Sequence, residues 1–303
     1  MSSMDMPPPF QWGNLFTQWS FSWMISAVLL AALLLYLAGV RRFNQEHDTS
    51  WSRKRTLSFL GALVIIVLAT QSVVGVYDMT LFTDHMVQHL LLIMVAAGVL
   101  AMSAPLELCQ ESLAGKAGRG VNKIVDSKVG GVIGHPIFGL LIYGILIPIT
   151  HLTGLFNLML EHMWIHYSEQ AMYLAAGYLF WRPVVAIEPT RHPLSPGLRI
   201  VYLFLAVPVD SFTGLALVMS NHEMFSTYQN SMRTWGPSLL TDLHTGGALM
   251  WIGGDLLMML TIIPIFLLWT RDEDSKVDDL DARLDAQRAA AGLPFSVRDT
   301  EYS

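Results

Sequence analysis

Residues 21–40 read FSWMISAVLLAALLLYLAGV, twenty positions without a charged side chain. As a helix rising about 1.5 Å per residue the stretch is ~30 Å long, the thickness of a bilayer's hydrocarbon core. Working outward from it, comparable apolar runs fall at 56–76, 85–105, 135–151, 165–182, 198–220 and 244–269. In lipid only a helix satisfies its own backbone hydrogen bonds within one segment. The expectation is therefore an all-α, polytopic membrane protein with seven transmembrane helices. Pro105 should end the third run, Pro148 lies near one end of the fourth, and Pro208 should kink the sixth, because proline removes a helical hydrogen bond. The chain's 303 residues are 53% hydrophobic and 14% charged, proportions that a soluble globular domain rarely reaches. A net charge of −6 without a basic run argues against a nucleic-acid partner, and the single cysteine, Cys109, excludes an intrachain disulfide and a CxxC site.

Orientation follows from the basic residues, which favour the cytoplasmic side. Arg41, Arg42, Arg53, Lys54 and Arg55 fill the first loop, and Lys116, Arg119, Lys123 and Lys128 fill the third. Arg182, Arg191 and Arg199 flank the fifth loop, and Arg271, Lys276, Arg283, Arg288 and Arg298 follow the last run. Of eighteen basic residues only Arg233 falls on the opposite side, so the N-terminus is expected outside and the C-terminus inside. The opening segment has no Lys or Arg and carries Pro7, Pro8 and Pro9. It lacks the basic start of a signal peptide, so the first span should stay in the membrane. Three parts are expected: an exposed segment at 1–20, a seven-span domain at 21–269, and a charged cytoplasmic tail at 270–303 with a solvated helix around 276–291. The Gly-rich stretch 111–134 reads as a loop with a short helix.

On this topology His47, His135 and His192 lie near the cytoplasmic face, whereas His85, His89, His151, His162, His166, His222 and His244 gather at the outer face. His85 and His89 stand four apart at the start of the third run, the spacing of one helix face. His162 and His166 repeat that spacing before the fifth, His151 ends the fourth, and His244 begins the seventh. Imidazole suits copper, zinc, iron and nickel, and residues on facing helices can build a site inside a bundle. The candidate metal ligands are thus His85, His89, His151, His162, His166 and His244. Met79, Met86, Met159, Met163 and Met224, with Met1, Met4 and Met6, would add soft donors for Cu(I), although methionine more often fills space. A lone outer histidine is as readily an interfacial hydrogen-bonding residue, and neither pair lies in an HExxH sequence.

Three acids fall inside the runs: Glu169, Asp210 and Asp255. Ionisable groups at membrane depth are costly unless paired or hydrated, so each is a functional candidate, with interhelical hydrogen bonding as the plain alternative. Glu169 is near enough to the histidines to orient one from behind. A protein that holds a metal such as copper, without catalysis, in an accessible site at its outer face is the leading reading. Two alternatives remain open: an intramembrane zinc hydrolase using three histidines with Glu169 or Asp84 as base, and a b-type haem protein with axial histidines from two spans.

The chain resembles the polytopic cytochrome c oxidase assembly factor family called CtaG, distinct from the single-span copper chaperone that shares the name. The resemblance covers roughly residues 20–270, through DHMVQHLLLIMVAAGVLAMSAPLEL at 84–108, HPIFG at 135–139, HLTGLFNLMLEHMWIHYSEQAMYLAAGYLFWRPV at 151–184 and GGALMWIGGDLL at 246–257. It implies a non-enzymatic, multi-pass protein of the bacterial plasma membrane needed to mature a haem-copper oxidase, in copper delivery or insertion. The implied partners are an oxidase subunit and an extracytoplasmic copper chaperone, and the implied histidine positions are His85, His89, His151, His162 and His166.

Overall fold

Apolar chain in lipid becomes helix for want of any other backbone partner, and all regular structure among the described residues is helical. A computed structural model describes residues 6–113, 115–230 and 233–291. Met1, Met4 and the tail from residue 292, including Arg298, lie outside the described residues.

The short α1 (Asn14–Thr17) leads into α2 (Trp23–Glu46). Then come α3 (Arg53–Gln71) and α4 (Val73–Tyr77), which form one span-length unit, Arg53–Tyr77. The third run is composite: α5 (Phe82–Leu90), a π-helical turn at Leu91–Ala96, α6 (Ala97–Met102) and α7 (Pro105–Ser112). Ala104 at φ 50° and Pro105 at the first position of α7 break that run where the proline was expected to end it. The Gly-rich stretch holds α8 (Gly115–Val125) and α9 (Lys128–Ile133), more helix than the expected loop. After them come α10 (Pro136–His151), α11 (Leu155–Glu161), α12 (Met163–Val185), α13 (Pro196–Val218), α14 (Ser226–Asn230) and α15 (Leu239–Ala290). The expected tail helix is no separate element, since α15 continues unbroken for 52 residues, ~78 Å at helical rise.

Among the described residues five helices are long and apolar enough to cross a membrane, or six if α10 and α11, bent by 75°, count as one span. The chain is therefore an all-α polytopic membrane protein. The expected fifth run, α12, is 23 residues long but is not among these five. Its inward face carries His166, Glu169 and Gln170, and these polar residues dilute the apolar signal used to recognise a span.

Three contacts set α12 against the π turn and α15 against α5. A Cβ on Gly177 would lie 2.3 Å from the Ile93 carbonyl oxygen, so only glycine lets α12 come this close to the π turn. The same carbonyl accepts a 3.0 Å hydrogen bond from Trp181 Nε1. From α15, the Asp242 carboxylate accepts from the backbone N–H groups of Phe82 and Thr83, each at 3.0 Å. It thereby caps the first turn of the helix that carries His85 and His89, where orphan donors and the helix dipole favour an anion.

Candidate metal centre

His85 and His89 project from successive turns of α5, and α12 brings His166 and Glu169 from the facing side. All four are buried. Glu169 sits at their centre. Its Oε1 is 3.2 Å from His89 Nε2, and its Oε2 is 3.8 Å from His85 Nε2 and 3.3 Å from His166 Nδ1. These contacts lack hydrogen-bond geometry: both Glu169 oxygens, both His85 ring nitrogens, His89 Nε2 and His166 Nδ1 are buried without a hydrogen-bond partner. So many unpaired buried polar atoms in one place need a physical reason.

The hydrogen-bond chain behind His89 supplies one. His151 Nδ1 is 2.9 Å from the Ile147 carbonyl oxygen, which can only accept, so Nδ1 carries the proton. His151 Nε2 is then a lone pair, and His89 Nδ1, 3.2 Å away, must donate to it. In a neutral His89 this leaves Nε2 as a second lone pair, facing the Glu169 carboxylate at 3.2 Å. Two acceptors face each other across that gap, an arrangement that a cation between them relieves.

His85, His89 and Glu169 form a buried group able to bind a metal ion, each offering one ligand atom within 4.8 Å of the others. Ligand atoms around one ion with ~2 Å bonds stand roughly 3.3 Å apart, close to the 3.2 and 3.8 Å that separate Glu169 from His89 and His85. His166 stands beside the group through Glu169, with its Nε2 3.1 Å from Asp78 Oδ2. A carboxylate behind an imidazole in this way fixes the ring and raises its basicity toward a metal. Gln88 Nε2 donates to the same Asp78 oxygen at 2.7 Å, and Tyr228 donates to the Asp78 backbone carbonyl at 2.7 Å. The ring of Tyr173 stacks on His89 at 4.0 Å, and its hydroxyl is 2.6 Å from Thr150 Oγ1.

The sequence model of the cytochrome c oxidase caa3 assembly factors, Caa3_CtaG, matches residues 34–272. The chain belongs to this family. It is also similar to an uncharacterized protein of Mycobacterium leprae, 26% identical over 278 residues that make up 89% of this chain and 42% of the relative. Uncharacterized proteins of Mycobacterium bovis and Mycobacterium tuberculosis are each 25% identical over 293 residues, 94% of this chain and 44% of each relative. The chain thus spans less than half the length of the curated relatives it matches. No solved structure matches it.

Four of the histidines singled out by sequence, His85, His89, His151 and His166, come together around Glu169. His162 and His244 do not. His162 has an extended backbone (φ −126°, ψ 107°) at the cap of α12, so the helical geometry that would put it on one face with His166 does not apply, and its side chain is exposed. His244 Nε2 instead bonds the Ser220 carbonyl at 2.8 Å. Asp210 accepts a 2.7 Å hydrogen bond from Tyr143, and Asp255 a 3.0 Å bond from Ser211; both bonds link helices. Two further points depart from expectation. Glu169, expected behind a histidine, has its own oxygens among the possible ligand atoms, and the site is enclosed instead of open. Asp78, Gln88, Asp242 and Gln170, whose Nε2 is 3.0 Å from His166 Nε2, were missed, although Gln88 and Gln170 lie within four residues of a flagged histidine and Asp78 interrupts an apolar stretch.

Proposed function

We propose that this chain is a non-enzymatic assembly factor of the bacterial plasma membrane that binds copper at His85, His89 and Glu169 and hands it to a subunit of a haem-copper cytochrome c oxidase. Copper is its cargo. The observation that carries this reading is the contact between His89 Nε2 and the Glu169 carboxylate, both buried and 3.2 Å apart, which with a neutral imidazole sets two acceptors against each other for a bound cation to bridge. Family membership supports the oxidase as destination, and an extracytoplasmic copper chaperone is the natural donor. Imidazole and carboxylate together suit Cu(II) or zinc better than Cu(I), which prefers sulfur, so delivery would involve the oxidised ion or a methionine recruited during transfer.

The topology in this proposal is seven spans, with α12 as the fifth, the N-terminus outside, the C-terminus inside and the metal centre toward the outer face. The charge segregation in the sequence supports it. Two competing readings fare less well. The cavity between His89, His151, Tyr173 and Asp210 has a volume of about 10 Å³, room for one water and far too small for a porphyrin. A zinc hydrolase would need a free base and a substrate path, whereas Glu169 is itself one of the candidate ligands and the group is buried. Copper and zinc analysis of gently purified, untagged protein tests the proposal. Copper in wild type and its loss in His89→Ala are expected. Protein in which neither metal exceeds the His89→Ala level would show that the contact is closed by a proton on His89, and the copper role would fall.

A further inference from the structure

A second polar cavity lies ~20 Å further along α12 from Glu169, at the opposite end of that helix. It measures about 240 Å³ and its lining includes Arg182, Arg191, His192, Asp126, Gly131 and Gly134. Arg182 uses Nε on Glu188 at 2.8 Å and Nη2 on the Pro189 carbonyl at 3.0 Å. Its Nη1 rests over Gly134, 3.4 Å from where a Cβ would stand. Arg191 uses Nη2 on Asp126 at 2.8 Å, and its Nη1 rests over Gly131 at 3.3 Å from the equivalent point. Two glycines thus make room for two guanidinium groups in the lining of one cavity. The Arg191–Asp126 pair is 47% and 67% exposed; a pair so exposed contributes little and exchanges easily for another anion.

The cavity adjoins a second, small one of about 10 Å³. This cleft shares Gly134, Arg182 and Thr190 with it and is otherwise lined by Ile133, Leu179 and Pro183. Val129 and Val132 on α9, which carries Ile133, and Ile137 and Leu141 on α10, which follows Gly134, are exposed. A paired-arginine pocket suits a phosphate, and an apolar strip on these helices suits an acyl chain. We propose that this cavity binds the phosphate of an anionic glycerophospholipid, with an acyl chain lying along α9 and α10. The strip favours a lipid over free phosphate, because a free anion would gain nothing from it.

The test is native mass spectrometry of the full chain in detergent, titrated with phosphatidylglycerol or phosphatidylcholine, with a parallel arm containing inorganic phosphate. Wild type should retain phosphatidylglycerol in preference to phosphatidylcholine. Arg191→Glu should weaken that retention about tenfold, and Lys276→Glu, an equal charge reversal on the exposed part of α15, should leave it within about twofold. Gly131→Leu fills the floor beneath Arg191 and provides a second variant with the same expected loss should Arg191→Glu not fold. Equal retention of the two lipids, or unchanged retention in the folded variants, overturns the proposal. Displacement of the lipid by inorganic phosphate alone overturns its lipid half, because the pocket would then be an oxyanion site without use for the apolar strip.

Discussion

His166 and His162 lie four residues apart, yet one is enclosed between two carboxylates and the other is exposed at a helix cap. The contrast extends to the rest of the set. His85, His89 and His151 are buried and in contact with one another or with Glu169. His222 is exposed, and His244 is tied to a backbone carbonyl. The difference lies less in the imidazole than in what faces it. A histidine joins the centre where its helix turns it toward Glu169, and it stays outside where the backbone leaves the helix or another acceptor claims it.

Glu169→Gln should produce the largest effect, since it keeps the shape of the side chain and removes the charge that three imidazoles face. Metal affinity, read by competition with a chelator of known strength, should fall well beyond the ~100-fold attributed to groups that only orient a ligand. Near-wild-type affinity would return Glu169 to a supporting role and make the histidines alone the site. Asp78→Asn comes next. Here the imidazole of His166, which touches the ligand set only through Glu169, loses its carboxylate but keeps an amide partner, so a fall of about tenfold, the lower end of what an outer partner costs, is expected, with no loss of the protein from the membrane.

Gly177→Ala probes the same centre through packing. The added Cβ would meet the Ile93 carbonyl at 2.3 Å and the Ala97 Cβ at 2.7 Å, so α12 must move away from the π turn and α6. Overpacking of this kind costs roughly 1–3 kcal/mol and should lower the thermal midpoint of the detergent-solubilised protein. Metal affinity should fall with it, because Glu169 rides on the displaced helix. A lowered midpoint with unchanged affinity would mean that the two ends of α12 respond independently. The smallest effect belongs to the other side of the contrast: His162→Ala and His244→Ala should each leave affinity within about twofold. A large loss in His162→Ala would mean that the cap of α12 rewinds on metal binding and brings that side chain inward.

Much of this architecture was legible in the sequence, for reasons that also explain what was not. Uncharged runs such as 21–40 announce helices in lipid because nothing else satisfies their backbone there. The i, i+4 spacing of His85 and His89 held because α5 is helical through both residues. The same spacing misled for His162 because the chain breaks at that very position, and no pattern of residue types marks a one-residue cap. Glu169 was found as a buried acid, but its central position depends on how close α12 comes to α5. That distance is set by Gly177 against Ile93 and by Trp181 on the same carbonyl, contacts between residues more than eighty positions apart. Asp78 and Asp242 were missed on the same ground: each acts on an element distant in the chain, His166 for one and the first turn of α5 for the other.

The central claim is that His85, His89 and Glu169 grip one metal ion between α5 and α12. X-ray absorption at the copper and zinc edges, on protein purified from copper-replete cells, tests it most directly when wild type is compared with the His85→Ala, His89→Ala double variant. The expected result is one copper per wild-type chain, with nitrogen and oxygen neighbours at ~2 Å and an imidazole scattering pattern, and a chain without copper in the double variant. A double variant that keeps its copper with the same imidazole neighbours would contradict the account, because the metal would then be held by histidines other than these.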